Sequence, residues 1–237
     1  MARLLQCGFA GGVGSILGTP VEFAGVWTAA GGAPGPVYSG SIGTTTQNTS
    51  PTEGVAYATF NAAPVDLDSF TVQFTSQMRL VPLGRIEIGL LHPTQGEIPL
   101  LRFGTEWDEY YGWEGIFFEA RVGDILLADQ LSWESIPDEP TELIATFYRS
   151  TPVEGEVVYP ERWYVSSPYG HINTSPYDGR PFVLEPQLTG VTGAYIRITN
   201  EFGAVVKPKL TNLIIDMDDP VLSSVFWTNF VQSYEVP

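Results

Sequence analysis

The sequence predicts an all-β protein, built as an antiparallel two-sheet β-sandwich or jelly roll. The first observation is the segment 70–80, in which apolar and polar residues alternate and only Ser76 interrupts the apolar row. A side-chain period of two is typical of a strand with one buried and one wet face, which suits antiparallel rather than parallel sheets. The second observation is composition: 25 glycines and 19 prolines in 237 residues indicate the many turns of a short-stranded architecture.

The N-terminal part of the chain contains three candidate strands separated by turn residues. Residues 1–9 form an apolar first strand, and a glycine-rich stretch follows to Gly18. Residues 21–28 carry Val, Phe and Trp and predict a second strand, which ends before a loop at 31–36. Residues 55–60 predict a third strand ahead of the alternating segment.

The central strands are predicted from apolar residues spaced two apart. Residues 85–91 place Ile86, Ile88 and Leu90 on one face, and residues 98–103 predict the next strand. Residues 116–122 repeat the pattern, with their apolar row formed by Ile116, Phe118, Ala120 and Val122.

The second half of the chain adds short candidate strands at 143–148, 156–159, 163–166, 194–199 and 210–217. Residues 124–136 lack Gly and Pro, but their apolar positions fit a helical stripe poorly. Asp219 followed by Pro220 has the pattern of a helix start, and predicts one helical turn before a strand within 225–236. Composition shows no break, so we predict a single domain over 1–237 with an atypical loop-rich insertion around 150–190.

The charge balance excludes two classes of partner. The chain has 27 acidic and 11 basic residues, a formal net charge of −16, whereas nucleic acids and anionic membranes require clustered Lys and Arg. The single cysteine, Cys7, cannot form an internal disulfide or a thiolate cluster, and predicts a small buried apolar side chain. The N-terminal stretch is a poor signal peptide, so we expect synthesis and folding in a reducing cytoplasm.

Aromatic residues form the main candidate binding site. Four of them fall within seven residues: Trp107, Tyr110, Tyr111 and Trp113. A second set lies in a loop-rich region and contains Trp163, Tyr164, Tyr169 and Tyr177. Flat rings with a polar handle suit the ends of a sandwich core, a protein contact or a sugar platform. The sequence leaves these three interpretations open.

Two groups of carboxylates are candidates for catalysis and metal binding. Glu106 and Asp108 lie two apart on a candidate strand, the spacing that a retaining glycosidase could use, but the expected third acid is replaced by Tyr111. We therefore predict no enzymatic activity. Asp216, Asp218 and Asp219 follow an apolar run and make Ca²⁺ the one metal that the sequence suggests.

Three short motifs resemble bacteriophage virion proteins with a concanavalin A-like (LamG-like) jelly-roll domain. They are the opening Met-Ala-Arg-Leu-Leu-x-Cys-Gly-Phe, the segment Pro-Val-Tyr-Ser-Gly-Ser at 36–41, and Leu-Ile-Ile-Asp at 213–216. The resemblance covers about the first 125 residues and a short stretch near the end. Residues 143–164 and the Tyr-Pro loop after them depart from the Trp-x-x-(Val/Ile) strand that many relatives have there.

The resemblance implies a non-enzymatic virion structural protein, displayed on the tail, a fibre or the capsid surface. It would act through contacts with other virion proteins and within a homo-oligomer. The alternative is a carbohydrate-binding module that uses the loop aromatics to bind a host surface glycan. The third hypothesis is a divergent β-sandwich glycosidase.

Overall fold

The computed structural model describes residues 2–9, 13–31, 34–39, 41–44, 52–77, 84–108, 113–132, 141–149, 163–166, 188–200 and 209–217. Within these ranges every regular element is a β-strand, and there are seventeen: β1 (Ala2–Cys7), β2 (Val13–Ser15), β3 (Pro20–Val21), β4 (Ala24–Val26), β5 (Thr28–Ala29), β6 (Val37–Ser39), β7 (Ser41–Thr44), β8 (Thr52–Thr59), β9 (Ser69–Gln77), β10 (Gly84–His92), β11 (Gly96–Asp108), β12 (Trp113–Val122), β13 (Ile125–Ser132), β14 (Thr141–Arg149), β15 (Trp163–Ser166), β16 (Gly193–Asn200) and β17 (Lys209–Met217).

The strands form two large sheets and two small ones. The five-stranded sheet has the order β1-β17-β9-β14-β15, and the seven-stranded sheet has the order β13-β12-β11-β10-β16-β8-β5. A three-stranded sheet, β2-β6-β7, and a two-stranded sheet, β3-β4, complete the described structure. The pairings in both large sheets are antiparallel. The predicted antiparallel two-sheet sandwich is therefore confirmed.

The core lies between the two large sheets and is built from alternate residues of their strands. Phe70, Val72 and Phe74 of β9 are fully buried, as the alternating pattern predicts. The rings of Phe74 and Phe103 meet across the sandwich in a T-shaped contact, with centroids 6.5 Å apart. Burying each such side chain stabilises the fold by roughly 1.5–3 kcal/mol. Cys7 is also a buried member of this core, as predicted.

Two parts of the sequence fold differently from the expectation. Residues 124–136 show no clear pattern of helix or strand in the sequence, but β13 lies within them and pairs with β12 at the sheet edge. The single strand predicted at 21–28 is broken by a turn at Phe23, whose φ of 64° lies in the left-handed region. The chain therefore folds back on itself there, and β3 pairs with β4.

Several predicted features lie outside the described residues. They are the strand at 156–159, the helical turn at Asp219, the strand within 225–236 and the last residues of the alternating segment, Met78 and Leu80. Of the insertion around 150–190, the structure describes β15 and residues 188–190. No helix among the described residues has the length and apolar character needed to span a membrane.

The chain returns from the insertion through backbone hydrogen bonds. Val65 and Val191 exchange two bonds of 2.8 and 2.9 Å, and Leu67 N donates to Leu188 O at 2.9 Å. His92 fastens the same segment, because its Nε2 lies 2.8 Å from Thr189 O while its Nδ1 accepts from Gln95 N–H at 3.1 Å. Acceptance at Nδ1 assigns the proton to Nε2, so the ring bridges the β10–β11 turn and this segment.

Candidate functional site

The seven-stranded sheet carries a connected set of charged and tyrosine side chains on the side opposite the core. We call this side the ionic face. Its strands are positioned by alternation: Ile86, Ile88 and Leu90 of β10 enter the core, so Glu87 lies on the other side. The described members of the network are Glu53, Tyr57, Glu87, Glu97, Arg102, Glu119, Tyr195 and Arg197.

Glu87 is the centre of this network and is only 2% exposed. The register places Arg102 of β11 and Arg197 of β16 directly opposite it on either side. Arg102 Nε donates to Glu87 Oε2, and Arg197 Nη1 donates to Oε1 at 2.9 Å. Tyr195 contributes a third bond, from its hydroxyl to Oε1, at 2.8 Å. A buried carboxylate is tolerated because two guanidinium groups and a hydroxyl satisfy it.

A more exposed ring of polar groups surrounds Glu87. Arg197 Nη2 donates to Glu97 Oε2 at 2.6 Å, and its Nε contacts the carboxylate of Glu53. The Tyr57 hydroxyl donates to the other oxygen of Glu97, also at 2.6 Å. The side chain of Glu53 is 45% exposed, so this ring is open to solvent.

The network reaches a further strand through Arg102. Its Nη1 lies 3.6 Å from Glu119 Oε2 on β12, which is an ion-pair distance rather than a hydrogen bond. The network therefore joins five neighbouring strands of the sheet, in the order β12, β11, β10, β16 and β8.

Tyr195 needs the glycine beside it. The register places Gly89 directly opposite Tyr195, and a Cβ at Gly89 would collide with the tyrosine ring and with Ile98 O. The ring therefore lies over the bare backbone of Gly89, where it is fully buried and its hydroxyl reaches Glu87. The Tyr57 ring packs edge-on against the Tyr195 ring, with centroids 6.4 Å apart, and the Arg197 guanidinium carbon lies 5.5 Å from the centroid of the Tyr195 ring.

The electrostatics keep Glu87 ionised and the hydroxyls of Tyr57 and Tyr195 protonated near neutral pH. Burial by itself would raise the pKa of the Glu87 carboxyl, but hydrogen bonds from Arg102 and Tyr195 and the charges of both arginines lower it below its ordinary value. Burial and the bond to Glu97 raise the pKa of Tyr57 to about 12. Burial, with the nearby charge of Glu87, also raises the pKa of Tyr195. Glu87 is thus a poor proton donor at neutral pH, and the face offers fixed hydrogen-bonding groups rather than an acid catalyst.

The predicted aromatic site is only partly within the described residues. Trp107 lies on β11 and Trp113 on β12, and the register pairs Trp107 with Glu114 and Asp108 with Trp113. Trp107 and Trp113 therefore occupy strand positions of opposite parity in this register. Trp163 and Tyr164 begin β15, on the other large sheet. The remaining predicted aromatics, Tyr110, Tyr111, Tyr169 and Tyr177, lie outside the described residues.

The predicted carboxylate sites have separate outcomes. Asp216 is 8% exposed and forms an ion pair with Arg3, while Asp218 and Asp219 lie outside the described residues. Within the part of the chain that the structure describes, no three His, Cys, Asp or Glu side chains gather into a metal-binding group. Ca²⁺ binding stays a prediction. Glu106 and Asp108 occupy positions of the same parity on β11, as the sequence spacing requires.

Sequence reasoning missed the ionic face altogether. A signal was present, because Glu87 and Arg197 each interrupt a row of isoleucines: Arg-Ile-Glu-Ile and Ile-Arg-Ile. A charge between two buried isoleucines predicts an outward-facing residue, but it does not identify its partners. The two arginines that bind Glu87 lie on other strands: Arg102 is 15 residues from Glu87 in the chain, and Arg197 is 110 residues from it.

Comparisons with known proteins give fold likenesses at low sequence identity. No protein-family model matches the chain, and no similar curated protein was found. The Emp47p carbohydrate recognition domain matches with a TM-score of 0.46 and 11% identity, over 91% of this chain and 98% of that one. The CBM2 module of the evolved Dit of Lactobacillus casei BL23 phage J-1 also matches with a TM-score of 0.46 and 11% identity, over 91% and 95%.

The exoplasmic/lumenal domain of VIP36, in its Ca²⁺/Man-bound form, gives a TM-score of 0.46 and 13% identity, over 86% of this chain and 88% of that one. Such values assign neither a family nor a ligand to this chain. The sandwich and the ionic face rest on the chain's own strands and contacts.

Proposed function

We propose that this protein is a non-enzymatic glycan-binding β-sandwich, that it binds sugar through the ionic face, and that it serves host adsorption on a bacteriophage virion. The observation that supports the ligand class is the Glu87-centred network. Sugar hydroxyls both donate and accept hydrogen bonds, so they are recognised by fixed carboxylates, guanidinium groups and phenols. The ionic face presents all three, held by mutual contacts across five strands.

The exposed members of the network would contact the ligand, and the buried members would position them. Glu97 and Glu53 supply acceptors at the solvent-facing rim, and Tyr57 adds an aromatic ring beside them. Glu87 and Tyr195 hold Arg197 and Arg102 in place from below. Preorganised polar groups lower the entropy cost of binding, which favours recognition of flexible, strongly hydrated sugars.

The virion setting is supported by the sequence resemblance. Its opening motif and its closing Leu-Ile-Ile-Asp motif form neighbouring strands, since β1 pairs with β17. The two motifs therefore belong to one structural unit although they lie at opposite ends of the matched sequence. Gold-labelled antibody on intact parent particles tests this setting: label at the tail tip or fibres supports adsorption, and label over the head supports decoration of the capsid. Particles without any label would contradict the virion setting.

A glycan-binding experiment tests the ligand class. Wild-type protein is screened against immobilised envelope polysaccharides, and the best binder is titrated by calorimetry with Glu97→Gln, Tyr57→Phe and the control Glu22→Gln, an exposed carboxylate outside the face. We expect each rim variant to weaken binding about tenfold, equivalent to about 1.4 kcal/mol, and the control to bind as wild type.

Two results would overturn the proposal. One is unchanged affinity in both rim variants, which would place the sugar elsewhere, with the Trp107 and Trp113 strands as the next region to test. The other is the absence of binding to any polysaccharide. Release of reducing sugar during the titration would instead support the glycosidase hypothesis and its pair Glu106 and Asp108.

A further inference from the structure

The outer side of the five-stranded sheet has a composition unlike that of the ionic face. We call it the threonine face. Its residues line up in cross-strand rows because directly opposite residues of paired strands share a face. One row contains Ile144, Gln73 and Ile214, and another contains Thr146, Thr71, Asp216 and Arg3. A third row contains Glu142, Thr75 and Asn212.

Charge on these rows is sparse, and most of it is paired within the rows. Arg3 and Asp216 neutralise one another, and Gln73 Nε2 donates to the carboxylate of Glu142. The hydroxyls of Thr71 and Thr146 are bonded to each other at 2.9 Å. These three rows therefore carry a net charge of about −1 in a chain whose net charge is −16. Two copies of so acidic a protein repel one another except where they meet at a charge-poor surface.

We propose that the threonine face packs against the same face of a second copy of this chain, related by a twofold axis. Hydroxyl and amide groups suit such a contact because each of them both donates and accepts, so a surface built from them can complement itself. The half-buried Ile144 and Ile214 flank Gln73 and supply the apolar part. The flat packing of two sheets about 10 Å apart is the geometry of a sandwich interior.

The size of the face suits a stable dimer. Strands β9, β14 and β17 have nine residues each, and β1 extends the sheet on one side. With strands about 4.8 Å apart and a rise of about 3.3 Å per residue, four strands cover on the order of 600 Å². Two copies then bury about 1,200 Å², which is the lower end of the range for specific protein interfaces.

Analytical ultracentrifugation across a wide range of protein concentration tests the dimer. The wild-type chain should sediment at twice the chain mass of 25.9 kDa at micromolar concentration. Ile144→Lys and Ile214→Lys should weaken association at least tenfold, because each places unpaired charges in the contact. Both substitutions lower the net negative charge, which weakens the general repulsion between two copies and would by itself strengthen association. Weaker association of the variants would therefore come from the contact itself.

Ala62→Lys is the matched control, since it adds the same charge at an exposed turn outside both faces. It should dimerise as wild type does. Circular dichroism and the thermal midpoint establish that each variant is folded. A wild-type chain that stays monomeric at every concentration would overturn the proposal, as would lysine variants that are folded and fully dimeric. Because this test involves no sugar, its result is independent of glycan binding.

Discussion

Arg3 and Asp216 form a two-pronged ion pair that joins the first described strand to the last. Arg3 Nε donates to Asp216 Oδ1 at 2.8 Å and Nη2 donates to Oδ2 at 3.0 Å. The two residues are directly opposite in the register of β1 and β17, although 213 positions separate them in the chain. The hydrogen bonds to Asp216 raise the pKa of Arg3. Long-range pairing of this kind holds the edge strand β1 against β17.

Removing either partner of this pair should destabilise the fold by different amounts. Arg3→Gln leaves the buried Asp216 without a cation, and we expect a loss of about 1–2 kcal/mol. Asp216→Asn leaves an exposed arginine that water can solvate, so we expect a loss of about 1 kcal/mol or less. Urea unfolding of both single variants and the double variant gives the coupling energy. A coupling indistinguishable from zero would show that the pair does not stabilise the fold.

The close approach of Tyr195 to Gly89 gives a second prediction. Gly89→Ala should lower the free energy of unfolding by about 2–3 kcal/mol, because the new methyl group collides with backbone and with a buried ring. Gly25→Ala is the control: its Cβ would meet nothing within 4 Å, and we expect a change within about 0.5 kcal/mol. Equal stability of the two variants would mean that Tyr195 does not occupy the space over Gly89.

Acid should destabilise the protein through Glu87. Its pKa is lower in the folded state than its ordinary value of 4.5, so the folded state holds the proton less tightly than the unfolded state does. The stability that it contributes is therefore present above about pH 4.5 and is lost as the pH falls through the folded-state pKa.

Urea titrations from pH 7 to pH 3 measure this loss. Glu87→Gln should be about 2–3 kcal/mol less stable at pH 7, since it leaves two arginines without their shared carboxylate. It should also show a shallower decline of stability in acid than wild type. Glu22→Gln, on the exposed β3–β4 hairpin, should keep the wild-type profile, and identical acid profiles for all three proteins would contradict the role of Glu87.

Tyr57 should ionise late in an alkaline titration. Its pKa is raised to about 12 by burial and by its bond to Glu97, so tyrosinate absorbance in wild type should include a step near pH 12 that Tyr57→Phe lacks. The sign for stability follows from linkage: the contribution is present below the ordinary pKa of 10 and declines as the pH rises toward 12. A wild-type difference spectrum with that step near pH 10 would show that Glu97 does not accept from Tyr57.

The strands that the sequence predicted well are those with a repeated local pattern. The sequence alternates over 70–80 and 85–91, and the structure places β9 and β10 there, with Phe70, Val72 and Phe74 of β9 in the core. The sequence does not predict β13, because the apolar residues of Ile-Leu-Leu-Ala-Asp-Gln-Leu recur with a period of neither two nor 3.6 residues. Its extended shape comes from pairing with β12, a tertiary contact that local periodicity does not carry.

The candidate sites divide in the same way. Aromatic residues stand out in a sequence by type alone, so Trp107 and Trp113 were found, whereas their opposite parity depends on the β11–β12 register. Asp216 was recognised as an acid at the end of an apolar run, but its partner Arg3 lies at the other end of the described chain. The sequence around Glu87 shows only a charge between two isoleucines. Its role as the centre of the network depends on three donors from β11 and β16 that only the folded chain brings to it.

Local chemistry in this chain is enough to establish the all-β class, the alternation of buried and wet faces, and a net charge of −16. Those properties depend on the order of neighbouring residues and on the total charge of the chain, and both can be read from the sequence. The ionic face and the threonine face depend instead on which strands become neighbours and in which register. A shift of one residue in β10 would bury Glu87 in the core and expose its isoleucines. Strand order and register arise when the whole chain packs, so the surfaces that we propose as functional exist only in the folded protein.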